Sequence, residues 1–153
     1  MRWRIGLLGA VALLLVGWVA QAWSTSQGPN LHDFRTTVAT CTQGALSAVR
    51  TAQLAGRAEL DGRAVETYTT PVLDNAIEGV GTAQQRLTGT PPPGPAEAVT
   101  RDELARLLDE SARTLHDLVA ALDRGDDPAA SADVDALGRL GDRLADFLEE
   151  HPT

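Results

Sequence analysis

The sequence predicts an all-α protein: an N-terminal signal or anchor helix, then an antiparallel four-helix bundle made of two helical hairpins joined by a proline-rich linker. Three observations lead there. Apolar residues recur at spacings of three and four along four separate segments, which marks one face of a 3.6-residue helix. No stretch alternates apolar and polar residues in the manner of a half-buried strand. Glycine, proline and aspartate gather between the segments, where a chain of helices must turn.

The first element is the apolar run of residues 5–19, preceded by Arg2 and Arg4 and followed by no charged side chain until Asp33. Arginine on one flank sets the orientation, so the rest of the chain is expected outside the cytoplasm. Two readings fit residues 1–23. As a signal peptide, Ala20-Gln21-Ala22 supplies a small-residue cleavage site and the mature chain starts at Trp23. As a transmembrane anchor, Trp3 and Trp23 stand about 30 Å apart along a helix, the thickness of a hydrocarbon core, with an indole near each interface. Residues 24–30 form a polar spacer in either case.

The bundle is expected over residues 31–150. Its first helix starts at the N-cap Asn30 and carries the stripe Leu31, Phe34, Val38, Cys41, Ala45, Ala48, Ala52. Asp61-Gly62 turns the chain. The second helix runs to Leu87, with Val65, Leu73, Ile77 and Val80 facing inward. Pro71 removes a backbone donor inside it, so the segment is expected to kink or to restart with Thr70 as a cap. Hairpin 31–87 ends at a linker, residues 88–99, where Pro91-Pro92-Pro93-Gly94-Pro95 reads as extended polyproline. Hairpin 100–150 follows. Thr100 and Glu103 have the spacing of a capping box, Leu104, Leu107, Leu108, Leu115 and Leu118 make the best-defined apolar face, and Gly125 ends it. After Asp126-Asp127-Pro128 the last helix carries Val134, Leu137, Leu140, Leu144 and Phe147. Short turns make each pair antiparallel. The Leu-rich second hairpin is expected to be the more rigid half.

Composition excludes several function classes. The chain has 13 arginines, no lysine and 21 acidic residues. Beyond residue 22 the net charge is −10, which opposes binding to nucleic acid or to anionic lipid because both require a cationic stripe. Cys41 is the only cysteine, so no intrachain disulfide can form, and its place on the apolar stripe reads as a small buried hydrophobe.

No catalytic, cofactor-binding or metal residues stand out. His32, His116 and His151 lack the i, i+3 or i, i+4 partners that a bundle uses to hold a metal. The only methionine is Met1 and there is no Cys-x-x-Cys-His run, which argues against haem. Asp102/Arg106, Asp109/Arg113 and Asp135/Arg139 read as i, i+4 ion pairs worth ~0.3 to 0.5 kcal/mol each on solvated faces. Two features go further. Gly138, Gly141 and Ala145 share one face of the last helix, where interior glycine costs about 1 kcal/mol each; close packing or a face for a partner helix would offset that. Tyr68, Thr69 and Thr70 interrupt the second helix before Pro71, where freed backbone groups could meet a ligand.

The expected function is therefore non-enzymatic: an interaction or scaffold module of the cell envelope, secreted or held by a single N-terminal span with its N-terminus inside. Its expected partners are the membrane, through an uncleaved N-terminal segment, and an envelope protein, with no nucleic acid. The alternative is a small-molecule-binding protein with an apolar pocket between the two hairpins.

Overall fold

Four helices follow one another in a computed structural model that describes residues 30–64 and 66–152. They are α1 (Leu31–Leu60), α2 (Glu66–Thr88), α3 (Pro95–Asp123) and α4 (Asp127–Glu150). No strand occurs among the described residues, and none of these helices is long and apolar enough to cross a membrane. The apolar run at residues 5–19 and the spacer that follows it lie outside the described residues.

Each boundary has a local cause. Asn30, in extended conformation, accepts a hydrogen bond from the His32 amide at 3.1 Å and so satisfies a free donor at the start of α1. α1 and α3 end in the same way. Gly62 and Gly125 adopt φ of 67° and 64°, a left-handed backbone that only glycine enters at no steric cost. The following amides then reach back: Arg63 to the Ala58 carbonyl at 2.8 Å, Asp126 to that of Ala121 at 2.9 Å. These are Schellman closures, and each reverses the chain within a few residues. Asp126 also caps α4 by accepting from the Ala129 amide at 3.2 Å.

Two expectations need correction. α3 starts at Pro95, five residues before Thr100, with Gly94 at the N-cap and no side-chain cap. Proline at the first helical position lacks an amide that would be unbonded anyway, and its fixed φ suits the helix. The linker therefore shrinks from residues 88–99 to 89–94, and the Thr100 hydroxyl, already inside the helix, bonds back to the Ala96 carbonyl. α2, likewise, passes through Pro71 and begins at Glu66, so Thr70 does not cap a new helix.

α1 is the hub. It packs against α2 and α4 and also across the diagonal against α3, whereas α2 and α4 do not touch. Small residues allow this approach: Ala45 and Ala52 are fully buried, and a methyl group on Gly56 would lie 2.8 Å from Val134 Cγ2 and 3.2 Å from Leu118 Cδ2. Around this seam Leu104, Leu108, Leu115, Leu118, Leu137 and Leu144 are buried completely, each contributing about 1.5 to 3 kcal/mol by leaving water.

Candidate functional site

The interior offers little chemistry. Among the described residues its buried polar side chains are Thr42, Thr69 and Ser111; the Thr42 and Ser111 hydroxyls donate to the carbonyls of Val38 and Leu107, each at 2.8 Å. Cys41 is buried in the core, and burial pushes its thiol above the ordinary range against a smaller opposing pull from Arg86. It stays protonated and inert at neutral pH. The described residues contain no group of three or more His, Cys, Asp or Glu side chains able to hold a metal ion. His32 and His116 are exposed, while His151 stacks on Phe147 with ring centroids 4.3 Å apart and closes α4.

The residues singled out in α2 separate. Tyr68 projects into solvent, 74% exposed, and Thr70 is exposed too, but Thr69 is buried and its hydroxyl has no hydrogen-bond partner among the described residues. The three do not converge on one cavity. Gly138 and Gly141 have a definite neighbour that periodicity could not supply. The Arg50 guanidinium of α1 lies over Gly141: a methyl group there would meet Nε at 2.7 Å. At Gly138 the same addition would meet the Gln53 amide nitrogen at 2.7 Å. Arg50 donates to Gln53 Oε1 at 3.3 Å and to Asp142 Oδ1 at 2.7 Å. The glycines thus leave room for two long polar side chains crossing from α1. Ala145, half-buried on the same helix, has no such crossing partner among these contacts.

The acidic side chains also work between helices. Asp135 pairs with Arg57 of α1 at 3.1 Å, Asp109 accepts from Gln84 of α2 at 2.7 Å, and Glu110 pairs with Arg143 of α4 at 2.7 Å. None of the three i, i+4 pairs expected from spacing forms; Asp102 bonds to its neighbour Arg101, and Arg106 and Arg113 donate to backbone carbonyls. An exposed carboxylate gains no more from a partner on its own helix than from one across a seam, so proximity in the bundle decides.

Open grooves follow the seams. One of about 450 Å³ between α3 and α4 is lined by charged residues of both signs, among them Glu103, Arg106, Arg143 and Asp146. Between α2 and α3, the junction of the two hairpins, a groove of about 380 Å³ has Leu87, Ala105 and Leu108 on its floor and Arg101, Asp102 and Asp109 on its rim. A third, about 320 Å³, lies at the end of the bundle beside Phe34, Val38 and His151. The fourth, about 300 Å³, separates α1 from α2 and is bordered by Gly44 and Gly79. Comparison with protein-family models, with curated proteins and with solved structures found no match to this chain.

Proposed function

We propose that this chain is a non-enzymatic, extracytoplasmic helical bundle of the cell envelope that acts through its surface as an interaction or scaffold module. The observation that carries the reading is the N-terminal run of residues 5–19, with Arg2 and Arg4 on one flank and tryptophans at both ends. A closed core supports it. With the interior filled by Leu, Val and Ala, recognition falls to the outer faces. The N-terminal segment is either a cleaved signal or a single-pass anchor with its N-terminus inside. A reporter enzyme that works only outside the cytoplasm, fused after Thr153, tests the address: activity is expected, and activity of a cytoplasm-only reporter at that position would overturn it. Crosslinking in the native envelope, read by mass spectrometry, tests the interaction role and identifies the mature N-terminus.

A second reading has one observation in its favour. The α2–α3 groove lies between the hairpins and has an apolar floor, which suits a small amphipathic molecule. Thermal stabilisation by a member of a lipid and metabolite panel, lost on Ala105→Glu, supports that reading; no shift with any member removes it.

A further inference from the structure

We propose that the outer face of the α1–α2 hairpin takes a second copy of this chain in an isologous dimer. The inference rests on the interaction-module reading and names its partner.

It starts from a segregation of charge. Residues 95–150 carry 15 of the 21 acidic side chains against six arginines, whereas residues 31–88 carry six against five. Two copies meeting through α3 and α4 would bring like charges together; through α1 and α2 they would not. On α1, Thr36, Thr40, Gly44, Ser47, Thr51 and Leu54 recur at spacings of 4, 4, 3, 4 and 3, and all are exposed. The only charged side chain between Arg35 and Arg57 is Arg50, which turns away to Asp142 on α4. The matching stripe on α2 is Tyr68, Val72, Asn75, Gly79, Thr82 and Arg86, and Thr40, Gly44, Asn75, Gly79 and Thr82 border one groove between the helices.

Apolar surface and charge pattern both suit self-pairing. Leu54 is 69% exposed and Tyr68 74%, and the α1 half of this face has no ionic group between Arg35 and Arg57 apart from Arg50. At Gly44 an added methyl would meet nothing within 4 Å, so the face is open to close approach. The stripe from Thr36 to Leu54 is about 27 Å long and two helices wide, roughly 500 Å² in projection, short of the ~800 Å² of accessible surface per partner in a standard complex, so the dimer is expected to be weak and concentration-dependent. Glu78 and Arg86 line the groove with opposite charges two turns apart, and neither has an ion-pair partner among the described residues. A two-fold axis passing near Thr82 sets Glu78 of each copy against Arg86 of the other, because an isologous contact is reciprocal. The crossing is antiparallel. It sends the two Asn30 ends opposite ways, so a pair of retained anchors would hold the dimer lying along the membrane.

The test is charge reversal with rescue. Full-length chain in detergent is sedimented over a concentration series, beside Glu78→Arg, Arg86→Glu and an equimolar mixture of the two. Both side chains are exposed, so circular dichroism should report unchanged helix content. Wild type is expected to dimerise, each reversal to weaken the dimer about tenfold or more, and the mixture to recover it as a heterodimer. A monomer throughout, a dimer indifferent to both reversals, or a mixture no tighter than its components would overturn the proposal. A monomer that still crosslinks to a different envelope protein would do so while leaving the interaction role intact.

Discussion

At Gly56 and Gly138 the same change, glycine to alanine inside a helix, should move stability in opposite directions. The new methyl of Gly56→Ala meets Val134 Cγ2 at 2.8 Å, a stiff branched side chain held in the core, so it should cost about 1 to 3 kcal/mol. At Gly138 the obstacle is the far end of Gln53, which can swing into solvent, and alanine's better helix propensity should raise stability by up to about 1 kcal/mol. Paired denaturant melts decide it; equal losses would mean that α1 approaches α4 differently. Gly56 was open to sequence reasoning, since it extends the stripe Ala45, Ala48, Ala52 by one turn, whereas Gln53 and Arg50 over the α4 glycines depend on partners far away along the chain, which no local period encodes. Asp133 gives a pH test. Burial, then Asp117 and Asp126, raise its carboxyl above the ordinary 3.8 despite an opposing Arg124. A raised folded value means that the ionised form is disfavoured in the bundle, a penalty present above that value and relieved as pH falls through it. Asp133→Asn should therefore stabilise the protein at neutral pH, with the gain shrinking toward about pH 4; a gain independent of pH would sink the account.

At the scale of elements, α1 starts on a side-chain cap, α3 on a proline, and α4 on both Asp126 and Pro128. Asp126 makes its cap bond, so Asp126→Ala should lower stability by about 1 kcal/mol. Thr100 sits inside α3, and Thr100→Ala should change it by well under that amount. A comparable loss at both positions in thermal melts would restore the capping box. The capping-box spacing at Thr100 and Glu103 was real but idle: the residues had the right chemistry, and Pro95 had already begun the helix. Elsewhere the punctuation was legible. Asn30, Asp61-Gly62 and Gly125 mark boundaries because each supplies something an ordinary residue does not, a short acceptor side chain or a left-handed backbone. Pro71 does not restart the helix at Thr70. It lies five residues past the start of α2, so its missing amide leaves the Thr67 carbonyl without its intrahelical donor, and the helix passes through it all the same.

For the whole molecule, the hub position of α1 separates it from two independent hairpins. Periodicity identified most of each buried stripe, though Leu31 is 40% exposed and Ala48 and Ile77 only half-buried, but it could not say which stripes meet; the diagonal contact between α1 and α3 runs where Gly56 lies against Leu118. A fragment of residues 94–152 exposes the Leu104, Leu115 and Leu137 faces that α1 and α2 cover, and should not unfold cooperatively alone. A sharp calorimetric transition from that fragment would show that the second hairpin is a domain in its own right.

An even number of antiparallel helices brings Asn30 and Pro152 to one end of the bundle, where Phe34, His151 and Pro152 share a groove. Nothing in the packing records which covalent link came first. Splicing Pro152 to Asn30 through a few glycines and cutting at Gly125, whose left-handed turn makes no contact that a methyl group would reach, yields a circular permutant in which α4 precedes α1. It should keep the far-ultraviolet spectrum and the single melt of the parent, and it would release the C-terminus at the opposite end from the N-terminal segment's attachment point.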